Sequence, residues 1–199
     1  KGSYATSGAD THKPITAADA TAGTYTLTTD ERRELTQAEG GYGFNAKHSA
    51  LANYTANASG NSVTDLTVDL AGHNLRLGMT SGDRQVATVY AGKGASATSR
   101  SHLTIKDTQG TGELVLSGEE TANKTANAIR AEQNAEIDIQ VPVKITGVTA
   151  PYAAQAIWAA RDSSITLKKL TMTQVDGPNN TVAANKNVYG IGLNGSKTK

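Results

Sequence analysis

The segments AIRAEQNAEIDIQ (Ala128–Gln140) and AIWAARDSSITLK (Ala156–Lys168) decide how this chain folds. At a shift of 28 residues, Ile129 falls on Ile157, and a second isoleucine pair follows eight residues later. Most of the residues between these pairs differ. A chain keeps apolar residues in register and varies the others when only the apolar ones are buried. The two segments are therefore predicted to be copies of one structural unit.

Further copies of an apolar doublet, in which two apolar residues flank one variable residue, occur along the chain. Alternation with a period of two predicts strands that bury one face and expose the other. Two inward residues per strand cannot form a core alone, so the copies are predicted to stack on one another. The doublets and their positions are Leu66/Val68, Leu103/Ile105, Ile137/Ile139 and Ile165/Leu167; Leu75/Leu77, Leu114/Leu116, Val143/Ile145 and Leu170/Met172; and a third set near Val89, Ile129, Ile157 and Ile191/Leu193.

This pattern predicts an all-β fold, a right-handed parallel β-helix with three short strands per rung. Residues 61–199 form the rungs, and we expect the column to be truncated at its C-terminal end. Residues 1–60 fit the repeat poorly and are expected to form an N-terminal cap or an irregular first rung. Within them, Thr24–Thr29 is predicted to be a strand and Asp30–Gly41 a short helix. An antiparallel sandwich and a leucine-rich repeat are the competing folds, but neither predicts this apolar template.

Composition excludes several classes of protein. The formal charge is +1 over 199 residues, which gives no field that would attract nucleic acid. There is no cysteine, so disulfides and thiolate metal sites are excluded. No apolar run approaches the ~20 residues that span a bilayer. The chain begins with Lys1 and shows no signal peptide, so we expect a processed product or a piece of a longer chain.

Three segments carry a resemblance to a known family: Ser101–Gly118, Ala128–Gly147 and Ala156–Thr173. They resemble the passenger domains of Gram-negative autotransporter adhesins, the pertactin-like β-helices. The resemblance covers roughly residues 60–199. It implies export to the cell surface and anchoring to the outer membrane through a β-barrel outside this segment. No binding motif of the family is present, so the resemblance transfers no site residue.

The sequence contains no recognisable catalytic motif. The four histidines His12, His48, His73 and His102 show no metal-ligand spacing and are interpreted as solvated turn residues. Glycosidases need two carboxyl groups about 5–9.5 Å apart. The neighbouring carboxylates are interpreted as exposed residues, and Asp138 is predicted to lie between Thr104 and Thr166. We expect no enzyme activity, no cofactor and no metal. The carboxylate pairs are Asp65/Asp69, Glu119/Glu120 and Glu136/Asp138.

The outward residues of the third set of strands form the candidate binding site. Alignment of the copies predicts a ladder of Tyr90, Arg130 and Trp158, followed by Gly192. An arginine between two aromatic rings is a cation–π arrangement. The ladder either stabilises the column or forms an exposed contact patch, because Trp, Tyr and Arg are common interface anchors. A second outward strip, close to Lys168 and Lys169, is interpreted as a solvated face or a site for anionic surfaces. This strip contains Arg76, Val115, Lys144 and Thr171.

These observations together predict a non-enzymatic adhesin segment at the cell surface. Its expected partners are a host glycan, a matrix protein or another cell-surface protein, and columns of this kind could also self-associate in biofilms. Nucleic acid is not an expected partner. Two alternatives stay open, because a fold alone does not define function. One is a carbohydrate-active β-helix enzyme, either a polysaccharide lyase or a glycosidase. The other is a purely structural stalk.

Overall fold

The computed structural model describes residues 8–39, 41–43, 47–55, 62–176 and 189–194. Strands account for 61% of these residues, and the only helical turn among them is a 3₁₀ turn at Ala17–Asp19. The protein is therefore an all-β protein. Its strands are β1 Ala9–Asp10, β2 Ile15–Thr16, β3 Thr24–Thr26, β4 Glu31–Leu35, β5 Gly41–Gly43, β6 Lys47–Ser49, β7 Leu51–Ala52, β8 Leu66–Asp69, β9 Leu75–Ser81, β10 Gln85–Gly92, β11 Ser101–Lys106, β12 Leu114–Glu120, β13 Thr125–Glu132, β14 Ala135–Thr149, β15 Ala153–Ala160, β16 Ser164–Met172, β17 Val175–Asp176 and β18 Tyr189–Asn194.

The strands lie in three parallel stacks. Stack A contains β3, β8, β11 and the first halves of β14 and β16. Stack B contains β1, β4, β9, β12 and the second halves of β14 and β16. Stack C contains β2, β7, β10, β13, β15 and β18. Because β14 and β16 each pass from stack A into stack B, these two stacks form one curled ten-stranded sheet. The pairing of β5 with β6 is the antiparallel exception among the described strands.

The predicted register of the apolar doublets is confirmed. Leu103 pairs with both Leu66 and Ile137, and the second and third sets of doublets also pair as aligned. In stack C, Ile129 lies between Val89 and Ile157. From β8 to β15 the doublets of all three stacks pack in one buried apolar cluster, and Ile165, Leu167 and Leu170 of β16 pack against it while partly exposed. Parallel pairing contradicts the antiparallel sandwich, so the apolar template did identify the stacking.

Tight turns explain why the sequence between the doublets varies. Gln133 and Asn134 connect β13 to β14, and both adopt a left-handed backbone with φ of 60°. Arg161 and Asp162 occupy the aligned positions between β15 and β16, with φ of 55° and 61°. The two turns stack directly, because the Asn134 amide donates to the Arg161 carbonyl at 2.9 Å. Asn and Asp tolerate this conformation, so different sequences form the same turn.

The first 60 residues contribute strands to all three stacks, and the predicted helix there is wrong. β3 confirms a strand within Thr24–Thr29, although it ends at Thr26. The segment Asp30–Gly41 contains strand β4, which pairs with β9 over five residues. Its Glu, Arg and Leu residues favour helices, but here they form a strand, because pairing with another strand outweighs their weak helix propensity. The predicted boundary at residues 60 and 61 lies outside the described residues.

The first two inward residues of β4 are charged, whereas their partners on β9 are leucines. Glu31 pairs with Leu75 and Arg33 pairs with Leu77, yet both charged residues are buried. The Tyr25 hydroxyl donates to Glu31 Oε1 at 2.5 Å and accepts from Arg33 at 2.8 Å. Burial, together with the hydrogen bond to Glu31, raises the pKa of Tyr25 to about 12. Mutual hydrogen bonding allows a charged pair to replace aliphatic side chains at this end of the core.

Candidate binding site

The predicted ladder of outward residues exists in the expected register. Arg130 pairs with Tyr90 on one side and with Trp158 on the other. Trp158 pairs in turn with Gly192 of β18. At the other end, Tyr90 pairs with Ala52 of β7. Ala52 pairs in turn with Thr16 of β2, so the ladder runs through the whole of stack C.

Two of the three members of this ladder are buried, so for them the structure agrees with a ladder that stabilises the column and not with an exposed contact patch. Tyr90 is fully buried and Arg130 is 9% exposed, whereas Trp158 is partly exposed. Tyr90 packs in a small second apolar cluster with Tyr54, Ala52 and Ala87. This cluster is separate from the main core, so stack C buries residues on both of its faces. Trp158 is consequently the member of the ladder that can contact a partner.

Glu132 is the acceptor that allows the arginine to be buried. It lies two residues after Arg130 on β13, and therefore on the same face of the strand. Arg130 donates to Glu132 Oε2 from Nη2 at 2.8 Å and from Nε at 3.1 Å. Glu132 Oε1 accepts from the Tyr90 hydroxyl at 2.8 Å and lies 3.0 Å from Lys47 Nζ. The four residues form one buried ionic cluster, which we call the Glu132 cluster.

The charges and the burial of the Glu132 cluster determine the protonation states of its members. Burial alone would raise the pKa of Glu132, but Arg130, Lys47 and the Tyr90 hydroxyl outweigh burial and lower it to about 2. Burial lowers the pKa of Lys47 more than Glu132 raises it. Burial also raises the pKa of Tyr90, and the adjacent Glu132 raises it further. The carboxylate is therefore ionised throughout the physiological pH range and holds its donors in place.

Arg130 also positions the indole of Trp158. Its guanidinium carbon lies 3.6 Å from the centre of the Trp158 ring, which is a close cation–π contact. Nη1 of Arg130 donates to Asn127 Oδ1 at 3.0 Å, and Asn127 Nδ2 donates to the Gln155 carbonyl at 2.6 Å. A continuous polar network thus backs the partly exposed indole, and this network fixes the orientation of the ring.

The second predicted strip also pairs as aligned. Arg76, Val115, Lys144 and Thr171 occupy consecutive strands of stack B, and Arg32 precedes them. Val115 is buried, with 4% exposure, so the strip does not form a continuous solvated face. Arg76 Nε contacts Glu34 Oε1 at 2.5 Å, and Arg32 Nη2 contacts Glu34 Oε2 at 2.6 Å. Part of the basic charge is thus neutralised within the protein.

The carboxylate pairs considered for acid–base chemistry have structural roles. Asp69 accepts from the Ala71 and Thr108 amides, and these bonds outweigh burial and lower its pKa. Glu120 accepts from the Ala122 and Lys124 amides in the turn that follows β12. The hydrogen bond from Arg100 lowers the pKa of Glu136. A general acid needs a raised pKa, which Asp69 and Glu136 do not have.

The remaining members of these pairs lie near the surface. Asp65 and Glu119 are exposed. Asp138 lies between Thr104 and Thr166, as predicted, and accepts a hydrogen bond from Gln140 at 2.8 Å. Glu119 nevertheless lines a groove of about 390 Å³ together with Glu34. This groove runs along the outward side of stack B, and sequence alignment did not place its two carboxylates together.

Two histidines are not turn residues, contrary to the prediction. His48 lies on β6, is buried, and its Nδ1 is 2.9 Å from Ser81 Oγ. Burial lowers its pKa. His102 lies on β11, with Nε2 2.9 Å from Glu136 Oε2 and Nδ1 3.5 Å from Asp65 Oδ1. Within the part of the chain that is described, no group of three or more potential ligands could hold a metal ion.

Comparison with known proteins identifies no relative: no family model, curated protein or solved structure matches this chain. Among the described residues, none of the helical segments has the length and apolar character needed to cross a membrane.

Proposed function

We propose that this chain is a non-enzymatic adhesin segment of the cell surface, folded as a right-handed parallel β-helix with three strands per rung. The protein would be anchored to the outer membrane through a part of the chain outside this segment. It would attach cells to a host glycan, a matrix protein or another surface protein.

The in-register parallel stacking of the three stacks is the observation that carries this proposal. Strands in such a stack lie about 4.8 Å apart, so each outward position becomes a regularly spaced ladder of side chains. A fixed wall of this kind can sum many weak contacts into firm attachment. Side-by-side association of columns follows from the same geometry. The left-handed turns between stacks A and C place variable residues at the edges of the wall.

Trp158 is the proposed anchor within this wall. A partly exposed indole that is already held in one orientation loses little entropy when a partner binds. Trp and Arg are the residue types most often found at binding hot spots. Here Arg130 acts behind the indole and does not itself reach the partner, because it is buried.

The test is a binding screen of the chain against glycan and matrix-protein arrays. Trp158→Ala is expected to retain the wild-type circular dichroism spectrum and to weaken binding at least tenfold, because the proposed anchor is lost. The matched control is Tyr152→Ala. Tyr152 is an exposed aromatic residue (49%) just before the first residue of β15, whereas Trp158 lies near the last residue of that strand. If the wild type binds a target and Trp158→Ala binds it equally well, Trp158 is not the anchor.

A carbohydrate-active enzyme is the second candidate, and the groove with Glu34 and Glu119 is the observation that favours it. Glycosidases place two carboxylates on either side of the bond that they cleave. The Glu34 oxygens, however, are already occupied by Arg32 and Arg76. Incubation with polygalacturonate and host glycans distinguishes the two functions. New reducing ends or unsaturated products that are lost in Glu119→Gln would replace the adhesin proposal with an enzyme.

A further inference from the structure

We infer that Trp158 and Gln155 form a saccharide-binding site on the outward face of β15, in which the indole stacks against the apolar face of a pyranose ring. The inference rests on the proposed function, because it names the ligand class for the proposed anchor. A sugar ring presents C–H groups on one face and hydroxyl groups at its rim. It therefore needs a flat apolar platform and a neighbouring hydrogen-bonding group.

The two faces of the Trp158 indole have different surroundings. Arg130 covers one face at 3.6 Å. On the other side, the register partner of Trp158 is Gly192, which has no side chain to add to the ladder. Strands pair at about 4.8 Å, close to the distance at which a side chain at this position would stack on the ring. The glycine therefore leaves the second face of the indole available for a ligand, in agreement with the partial exposure of Trp158.

Gln155 supplies the hydrogen-bonding group. It is partly exposed and lies three residues before Trp158. Asn127 and Arg130 have the same spacing on β13, and their side chains contact each other at 3.0 Å, so the aligned residues Gln155 and Trp158 fall on one side of β15. The main-chain carbonyl of Gln155 accepts from Asn127 Nδ2 at 2.6 Å, so the network behind the indole also holds the backbone from which the Gln155 side chain extends. A glutamine amide offers donors and an acceptor together, which suits the hydroxyl groups of a sugar. A few fixed polar groups beside an apolar surface are typical of small-molecule sites.

The charges around the ring favour a neutral ligand over a cation. Arg130 already occupies one face of the indole, and a second cation on the opposite face would be repelled by it. The charge of Arg130 is compensated by Glu132, whose carboxylate is buried and directed at the arginine. Glu132 is shared with Lys47, so the cluster has no net negative charge that would attract a cationic ligand, and the C–H face of a neutral sugar fits the available surface.

The chain contains one tryptophan, so its fluorescence reports on this site alone. The probes are glucose, galactose, N-acetylglucosamine and their β-linked disaccharides, with the acyclic polyol sorbitol as a ligand control. At least one saccharide is expected to shift the Trp158 emission saturably, and sorbitol is expected to have no effect. No saturable shift with any of the six saccharides would overturn the inference.

Three variants test the geometry of the site. Gln155→Ala is expected to weaken saccharide binding about tenfold, because the hydroxyl groups lose their partner. Gly192→Val is expected to abolish the emission change, since a side chain would fill the space over the second face, and extended backbone accepts valine. Gln140→Ala is the matched control, because Gln140 is an exposed glutamine on β14, away from β15, whose amide donates to Asp138 at 2.8 Å. Equal affinity of wild type, Gln155→Ala and Gly192→Val would contradict the site.

The outcomes separate this inference from the proposed function. If the chain attaches to arrays in a Trp158-dependent manner but no saccharide competes, the saccharide site is wrong and the adhesin proposal stands. If a saccharide binds at Trp158 but the chain attaches to no array, the site stands and the adhesin proposal fails. Circular dichroism of each variant establishes whether loss of binding arises from the site or from unfolding.

Discussion

Two ladders on the same strands of stack C differ in how they are buried. Val89, Ile129 and Ile157 form the inward ladder and pack in the main apolar cluster. One residue further along each strand, Tyr90, Arg130 and Trp158 form the outward ladder, of which the first two are also buried. The inward ladder needs only volume and apolar surface. The outward ladder needs Glu132, because a buried guanidinium is tolerated only with a carboxylate that pairs with it.

The comparison shows that burial can arise from opposite kinds of interaction on the two faces of one strand. An aliphatic ladder loses stability gradually when a side chain is shortened, since each methylene contributes separately. An ionic cluster loses stability abruptly when one member is removed, because the others stay buried without compensation. The two ladders are therefore expected to respond differently to substitution and to pH.

Removal of the central carboxylate is expected to have the largest effect. Glu132→Leu leaves Arg130 and Lys47 buried without their counter-ion, which is expected to lower the free energy of unfolding by about 3–5 kcal/mol. Chemical denaturation of the purified chain, followed by circular dichroism, measures this change.

The control replaces the charged members together. A Lys47→Met, Arg130→Met and Glu132→Leu triple variant is expected to recover more than half of the lost stability, because no unpaired charge remains. A triple variant as unstable as Glu132→Leu would show that lost packing, and not the unpaired charge, explains the effect.

A shortened inward side chain is expected to cost somewhat less. Ile129→Ala removes buried aliphatic volume between Val89 and Ile157 and should lower the free energy of unfolding by about 2–5 kcal/mol. Ile129→Val, measured in the same denaturation experiment, should cost only about 0.5–1.5 kcal/mol. A steep loss with Ile129→Val, comparable to that of Glu132→Leu, would remove the distinction between the two ladders.

The stacking could be predicted from sequence because the inward ladders repeat a simple pattern. Each doublet pairs with its aligned neighbour, since a shift by one residue would expose its apolar side chains. The strand β4 could not be predicted, because Glu31 and Arg33 at its inward positions are charged residues that favour helices. Their burial depends on Tyr25, a partner that belongs to a different stack.

The sequence could predict which residues of the binding site pair with one another, but not which of them are exposed to solvent. Alternation predicts which side of a strand a residue occupies, but not whether that side is covered. A signal was present in Glu132, two residues after Arg130 and thus on the same face. Lys47 carried no such signal, because it lies in the first 60 residues, where the apolar template is weak. The pairing of Lys47 with Glu132 requires the folded chain.

Acidification is expected to have the smallest of the three effects. Of the two ladders, only the outward one depends on a group that titrates in acid. The folded-state pKa of Glu132 is about 2, below its ordinary value of 4.5. Its contribution to stability is therefore complete above pH 4.5 and is lost as the pH falls toward 2. At pH 3, Glu132 alone should reduce the free energy of unfolding by about 2 kcal/mol relative to pH 7.

Other carboxylates with lowered pKa values, such as Asp69, Asp107 and Glu136, also weaken the fold in acid. The contribution of Glu132 is therefore the difference between two series of denaturation curves, one for the wild type and one for the triple variant. The wild type should lose about 2 kcal/mol more than the triple variant between pH 7 and pH 3. Parallel losses in the two proteins would mean that the Glu132 cluster does not hold its carboxylate ionised. The outward ladder would then be held by packing, in the same way as the inward one.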